Sequence, residues 1–228
     1  MTSKMHSRRA LLMAAPATLV LAGCGGLIGP SSAPPQIYML EPHFGPVDAP
    51  NVNWQLSVTR PDAADVYDTE RLVIERGQIM DYYADAQWAD QTETLLQRLI
   101  VEAFEKSGRI AAVARDREGL HADVLLQVEV RNFLARYDSD SGAPTILVEL
   151  VAKLVTPQAR MVIATLDARH EEAATANSIA AAVVAFNSAI GAALEEIVAW
   201  TLRTGGGNAA APADTGIVAP RHRRGRRH

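Results

Sequence analysis

The feature that most constrains the fold is a two-residue alternation of apolar and polar side chains through residues 123–154. The apolar set comes in two runs, which are Val124, Leu126, Val128 and Val130, then Ile146, Val148, Leu150, Ala152 and Leu154. A stretch typical of a turn, residues 137–142, separates the two runs. Successive side chains of a strand point to opposite faces, so the pattern predicts an antiparallel sheet with one covered and one open face.

Two other segments have the period of a helix. Apolar residues at three- and four-residue spacing predict one helix that ends near Gly108. It begins either at a capping box of Asp90 and Glu93 or about a turn earlier, at Asp85. A longer helix is predicted from about residue 177 to 202, and its alanines and polar residues indicate a packing helix, not a membrane span. The predicted fold class is therefore α+β, a two-layer sandwich of a mostly antiparallel sheet with two amphipathic helices on one face.

Shorter patterns complete the predicted layout of the chain. Further strands are expected near residues 37–40, 54–60, 110–114 and 161–166, together with a hairpin around Gly77. The predicted segments are a lipoprotein signal peptide (1–23), a flexible tether (24–35), an α+β domain (36–204) and a disordered basic tail (205–228).

The start of the chain has the pattern of an export signal. Lys4 and Arg8 precede an apolar run, residues 10–20, that is too short to cross a bilayer. The next four residues, Leu21-Ala22-Gly23-Cys24, match the lipobox of bacterial lipoproteins, in which the cysteine sulfur is lipidated and the peptide is cut before it. Cys24 is the only cysteine in the sequence, so it has no disulfide partner within the chain. The alternative is a spacer cysteine after an ordinary signal peptide.

Lipidation at Cys24 would decide where the protein works. A diacylglycerol on the sulfur and an acyl chain such as palmitate on the new amine give stable anchoring, since two lipid signals already suffice. Gly25, where inner-membrane lipoproteins of enteric bacteria have Asp, favours the periplasmic face of the outer membrane over the inner membrane. Ser7, Arg8 and Arg9 leave Sec and twin-arginine export both open.

The charge of the chain is unevenly distributed. The formal net charge is −4, yet the last eight residues contain five arginines, so the body before them is acidic. An acidic body argues against nucleic acid as the partner. Three interpretations of the arginine-rich tail stay open: contact with anionic lipid head groups, contact with other envelope polyanions, or a solvated end without a role.

No catalytic constellation is found in the sequence. There is no Gly-x-Ser-x-Gly elbow, no Walker sequence and no dinucleotide fingerprint. The six histidines, among them His43, His121 and His170, have no partner at metal-ligand spacing. We therefore predict no catalytic residue, no metal, no cofactor and no enzymatic activity.

Two groups of side chains are candidates for binding. Tyr82, Tyr83 and Trp88 cluster in a chain with 5% aromatic residues, and they either pack beside a helix or form a partner-binding lip. Leu125, Leu147 and Val151 are apolar on the otherwise polar face of the sheet. These three either pack under a loop or form an apolar patch for a lipid chain or a protein.

Several of these segments together resemble the ABC-type transport auxiliary lipoproteins, the PqiC-like group. The resemblance extends over about residues 36–203, and residues 81–90, with their tyrosines and tryptophan, are its most specific part. Its other segments are Ile37-Tyr38-Met39-Leu40, Val58-Thr59-Arg60-Pro61, Leu72-Val73, residues 95–104, the strand from Asp123 to Val130 and the closing helix through Trp200.

The resemblance implies a part in transport of phospholipid or another lipid between the two membranes. Such lipoproteins work with a mammalian-cell-entry (MCE) domain protein and an inner-membrane ABC transporter. This chain would then sit on the outer membrane and dock to the MCE protein, either singly or as a homo-oligomeric ring. The competing hypothesis is a lipoprotein scaffold or assembly factor for another envelope complex, without lipid handling.

Replacing Cys24 by Ala removes the only sulfur that can carry the lipid. We expect the Cys24→Ala chain to lose metabolic labelling with palmitate and to keep residues 1–23, because cleavage follows lipidation. Gel fluorography and intact mass check both results, with Ser31→Ala in the tether as a control that keeps the label. Labelling of Cys24→Ala at the level of this control would contradict the lipobox.

Overall fold

The computed structural model describes residues 34–119, 121–139 and 141–206. The predicted signal peptide, the lipidation site Cys24, most of the tether and nearly all of the basic tail lie outside the described residues.

The described residues contain a nine-stranded sheet and two helices. The strands are β1 (Gln36–Tyr38), β2 (Val52–Val58), β3 (Asp62–Ala63), β4 (Arg71–Arg76), β5 (Ile79–Trp88), β6 (Ile110–Arg115), β7 (Val124–Tyr137), β8 (Thr145–Thr156) and β9 (Met161–Ala173). The helices are α1 (Thr92–Ser107) and α2 (Ile179–Thr204).

Strand β7 organises the sheet because both of its edges are paired. On one edge β8 runs antiparallel to it, from Val155 opposite Leu125 to Thr145 opposite Arg136. On the other edge three short strands, β2, β3 and β4, pair in parallel with the first, middle and last parts of β7. The sheet then extends through β9 beyond β8, through β6 beyond β2, and through β5 and β1 beyond β4.

The sheet is mixed, so the prediction of a mostly antiparallel sheet is wrong. Within the described ranges β4–β5, β7–β8 and β8–β9 are antiparallel. The pairs β1–β5, β2–β6, β2–β7, β3–β7 and β4–β7 are parallel. Alternation reports which face of a strand is covered and says nothing about its direction. The parallel pairs also join segments far apart in the chain, which hairpin patterns cannot connect.

The two helices contact each other, and α2 also packs on β8 and β9. Three buried aromatic rings, Trp88, Phe133 and Phe186, join β5, β7 and α2 in the core. The Phe186 ring centroid lies 5.2 Å from that of Trp88 and 5.0 Å from that of Phe133. Helix α2 is long and apolar enough to cross a membrane, but most of its apolar stretch is buried in this core.

The sequence-based prediction is right for the C-terminal end of α1 and wrong for its N-terminal end. Gly108 ends the helix in the left-handed conformation, with φ of 62°, as predicted. The predicted capping box of Asp90 and Glu93 is wrong, since the N-cap is Gln91 and its side chain makes no capping hydrogen bond. The segment that leads into the helix is a strand, because β5 continues as far as Trp88.

A strap, residues 41–45, runs along one face of α2. The Glu41 N–H donates to Asn187 Oδ1 at 2.7 Å, and the Gly45 N–H donates to the Glu195 carboxylate. The strap lies so close to the helix that a Cβ added at Gly191 would be 2.9 Å from the backbone carbonyl oxygen of His43. The absence of a side chain at Gly191 therefore leaves room for the strap.

The substitution Gly191→Ala tests this close approach. Alanine gains about 1 kcal/mol of helix propensity over glycine, whereas forcing a methyl group into packed structure costs about 1–3 kcal/mol. We expect a net loss of about 1 kcal/mol in the free energy of unfolding, measured by urea denaturation. Ser188→Ala, on the same helix, is the control and should change stability by less than about 0.5 kcal/mol. A Gly191→Ala chain as stable as this control would contradict the contact.

Candidate partner-binding site

One edge of β5 is partly unpaired. Strand β1 pairs with β5 only from Ala86 to Trp88. No other described strand pairs with that side of residues 79–85, so the backbone N–H and C=O groups that point away from β4 have no strand partner there. The outer edges of β6 and β9 are likewise unpaired with any described strand. An unpaired strand edge is a template for hydrogen bonding with another chain.

A tight turn joins this edge to β4. The turn consists of Gly77 and Gln78 between the paired residues Arg76 and Ile79. Gly77 has φ of 62°, and a two-residue turn with glycine at its first central position is a preferred hairpin connection. The two residues after the turn, Ile79 and Met80, are 70% and 41% exposed.

A bulge in β5 changes the direction of its side chains. Arg71 pairs with Gln87 and Val73 pairs with Tyr82, so residues 83–86 face a single residue of β4. Bulges bend the strand and redirect its side chains. Here Tyr82, before the bulge, lies on the open face of the sheet, and Trp88, after it, points into the helix layer.

Tyr82 is a half-buried side chain held against its neighbours. The Arg71 guanidinium carbon is 4.0 Å from the centroid of the Tyr82 ring, a cation–π contact. The Tyr82 hydroxyl donates to the backbone carbonyl oxygen of Val66 at 3.4 Å. The positive charge of Arg71 thus lies over one face of the Tyr82 ring.

Tyr83 belongs to a hydrogen-bonded chain on the opposite face. Its hydroxyl oxygen is 2.6 Å from that of Tyr137, which donates in turn to Asn177 Oδ1 at 3.3 Å. Since the Tyr137 proton goes to Asn177, Tyr83 is the donor in the first bond. Burial raises the pKa of Tyr83, and its hydrogen bond to Tyr137 raises that pKa further. Tyr83 therefore stays neutral and half-buried.

Trp88 is a core residue in this structure. It is 1% exposed and packs against Phe133 and Phe186. Of the three aromatic residues proposed as a lip, the structure thus leaves Tyr82 and Tyr83 within reach of a partner and places Trp88 in the core. The sequence could not separate them, because the bulge breaks the alternation between Tyr82 and Trp88.

The apolar residues of the open sheet face are not an exposed patch in this structure. Leu147 and Val151 are 4% and 2% exposed, and Leu125 is half-buried. The register places Val151 between Glu129 and Asp167. Long charged side chains can cover apolar residues with their carbon chains while their charged ends stay in water. This face carries three cross-strand ion pairs: Lys153–Glu129 at 3.1 Å, Arg131–Asp167 at 3.5 Å and Arg169–Glu149 at 2.9 Å.

A segment between β3 and β4 also covers part of the open face. Buried Tyr67 in this segment donates its hydroxyl hydrogen to Asn132 Oδ1 at 3.3 Å. The Asn132 amide donates in turn to Glu149 at 2.9 Å. Burial raises the pKa of Tyr67 to about 12, and the negative charges of Glu75 and Glu149 add to the increase. Tyr67 is a structural contact that sequence reasoning missed, since a lone Tyr in a polar connection carries no pattern.

No set of three potential metal-ligand side chains converges anywhere in the described part of the chain. His170 is paired with Glu196 of α2 at 2.8 Å. His43 lies in the strap that runs along α2. The candidate binding site is the free part of the β5 edge, which the tyrosines Tyr82 and Tyr83 distinguish from the other unpaired edges.

Comparison with known proteins decides the family. A model of the family described as "ABC-type transport auxiliary lipoprotein component" matches residues 38–198. The chain belongs to this family. The match spans the sheet from the end of β1 through β9 and most of α2, and it confirms the family that the sequence resembles. An auxiliary lipoprotein is also consistent with the lipobox that ends at Cys24.

Relatives of this auxiliary lipoprotein share its fold. The crystal structure of protein XCC0632 from Xanthomonas campestris, of the family DUF330, is 33% identical with a TM-score of 0.70, covering 75% of this chain and 98% of that one. Another solved structure, of an uncharacterized protein, is 16% identical with a TM-score of 0.58, covering 73% and 97% of the two chains. An uncharacterized protein of Bradyrhizobium diazoefficiens is 26% identical over 160 residues, 70% of this chain and 42% of that relative.

The raised pKa of Tyr67 predicts a stability loss at high pH. Below about pH 10 the phenol is protonated in both the folded and the unfolded chain, so its contribution is constant. Between about pH 10 and 12 it ionises in the unfolded chain first, so the free energy of unfolding falls by up to about 1.4 kcal/mol per pH unit. Urea denaturation at several pH values should show a shallower fall for Tyr67→Phe. Equal slopes in both chains would contradict the buried, neutral Tyr67.

Proposed function

We propose that this chain is an outer-membrane-anchored periplasmic lipoprotein and an auxiliary component of an MCE/ABC-type intermembrane lipid transport system, in which it docks to the MCE protein. The observation that carries the proposal is the family match over residues 38–198, which includes nearly the whole described domain. The lipobox at Cys24 supports the anchor, and Gly25 supports the outer membrane.

Docking fits the described surface better than catalysis does. The clefts beside the strap are lined by side chains such as Glu41, His43 and Glu195, and the cleft beside Thr59 by Arg60 and Lys153. One of these clefts brings Ser188, His43 and Glu195 to the same surface, but among the described residues no hydrogen bond joins Ser188 to His43 or His43 to a carboxylate, and Glu195 accepts the Gly45 N–H instead. Covalent catalysis requires a nucleophile hydrogen-bonded to a base that a third group orients. The free edge of β5, by contrast, is ready to accept a strand of a partner.

The docking surface in this proposal is the free edge at residues 81–85, which include Tyr82 and Tyr83, together with Arg71. A strand of the MCE protein would take up the unpaired backbone groups, which provide affinity, while side-chain contacts provide specificity. Tyrosine and arginine are enriched at the energetically dominant positions of protein interfaces. Trp88 contributes by fixing the end of β5 in the core.

Affinity purification of the lipidated chain from native membranes tests this proposal. We expect an MCE-domain protein to copurify and to be at least about tenfold depleted for Tyr82→Ala, because truncating a central interface tyrosine costs about 2 kcal/mol or more. The matched control is Tyr38→Ala, a half-buried tyrosine of β1 outside the free edge. Cys24→Ala tests whether recovery depends on the anchor.

The other outcomes have distinct meanings. Recovery of an unrelated envelope complex, with no MCE protein at any detergent strength, would support a scaffold or assembly factor instead. Equal recovery of the MCE protein with Tyr82→Ala and Tyr38→Ala would keep the transport function and move the docking surface away from β5.

A further inference from the structure

The hairpin between β4 and β5 ends in two adjacent apolar side chains. Ile79 and Met80 are exposed, and because they are consecutive in a strand they cover opposite sides of it. Single exposed apolar residues are ordinary. Two in succession directly after a turn place one apolar side chain on each side of the strand, beside Arg76 and Glu75 of the paired strand β4. A similar exposed pair, Met161 and Val162, follows the β8–β9 turn at the other end of the sheet, so what distinguishes the β4–β5 pair is its position relative to the start of the domain. We define the hairpin tip as residues 77–80.

The direction of β1 shows which partner lies nearby. Strand β1 is parallel to β5, with Gln36 opposite Ala86. The chain before Gln36 therefore comes from the end of the sheet that holds the hairpin tip. Pro34 and Pro35 precede the strand, and consecutive prolines favour an extended, semi-rigid backbone.

The length of the tether limits how far the tip can be from the lipid. Cys24 is twelve residues before Gln36, a distance of at most about 40 Å for an extended chain. Ile79 is seven residues before Ala86 in β5, at most about 23 Å away. The tether is therefore long enough for the lipid of Cys24 and the hairpin tip to meet the same bilayer surface.

We propose that the hairpin tip inserts Ile79 and Met80 into the surface of the bilayer that holds the lipid of Cys24. This inference rests on the proposed lipid anchor and is independent of the MCE partner. Because the anchor keeps the tip at a high effective concentration beside the bilayer, a contact of two side chains suffices.

The residue after the tip limits the depth of insertion. Asp81 is exposed, and its carboxylate accepts the N–H of Tyr82 at 2.7 Å. A charged carboxylate stays in the head-group region because its transfer into hydrocarbon is costly. Glu75 lies opposite Met80 in β4 and holds a second carboxylate at that level. Insertion is therefore limited to the side chains of Ile79 and Met80, at the interfacial depth of about 5–10 Å at which amphipathic segments lie.

A single reactive thiol can report the position of the tip. Lipidation consumes the only native cysteine, so Ile79→Cys gives one site for an environment-sensitive fluorophore. The matched control is Ala159→Cys, exposed in the β8–β9 turn at the opposite end of the sheet. Each full-length lipidated chain is reconstituted in vesicles of phosphatidylethanolamine and phosphatidylglycerol that contain a lipid with a spin label in its upper acyl chain.

We expect the spin-labelled lipid to reduce the fluorescence at position 79 by about twofold or more and to leave position 159 unchanged, as an interfacial depth of about 5–10 Å requires. Met80→Asp should abolish the quenching at position 79, and Met80→Leu should preserve it. Both substitutions are at an exposed tip, and circular dichroism checks that the fold is intact.

Flotation of the same vesicles separates the two hypotheses. Chains that float without quenching at position 79 would overturn the tip contact and leave the lipid anchor standing. Chains that do not float would overturn the anchor and, with it, the tip contact. Equal quenching at positions 79 and 159 would also overturn the proposal, since it indicates adsorption without a preferred end.

Discussion

The hydrogen-bonding capacity of one strand underlies the rest of the structure. β7 uses one edge for a long antiparallel ladder with β8 and divides the other among β2, β3 and β4. Each of these three short strands forms few hydrogen bonds with β7, so each also needs a second contact to stay in place. β2 is held by β6, β3 leads into the segment that contains Tyr67, and β4 is held by β5. The exposed hairpin is thus attached to the centre of the sheet through β4, which pairs with both β5 and β7.

The helix layer fixes the same strands from one side. Trp88 and Phe133 bring β5 and β7 to Phe186 of α2, so the far end of β5 is as rigid as the core. The near end, before the bulge, packs instead against Arg71 and the Tyr67 segment on the open face. Strand β5 is therefore part of the core at Trp88 and part of the surface at its start, Ile79. Only the segment before the bulge is free to contact a partner.

The sequence predicts those parts of the fold that depend on residues close together in the chain. Alternation found β7 and β8 because each has one side under the helices, and the glycine at position 108 marked the end of α1. Strand direction was missed because parallel pairing depends on segments distant in the chain. The candidate site was predicted in part: the aromatic cluster led to β5, but a bulge, which alternation cannot register, sends Trp88 inward and leaves Tyr82 outside. Leu147 and Val151 are buried on a face that carries cross-strand ion pairs, and the sequence of a single strand does not show those pairs.

The parallel pairing of β1 has a mechanical consequence. A pull on the chain ahead of Pro34, toward the hairpin end, acts along the axis of β1. The hydrogen bonds to β5 are then loaded together in shear and are not peeled one after another. Leu40, buried two residues after β1, must also leave the core before the strand can slide. A three-residue strand that would yield easily to a sideways force is, in this geometry, a firm attachment for a protein under tension.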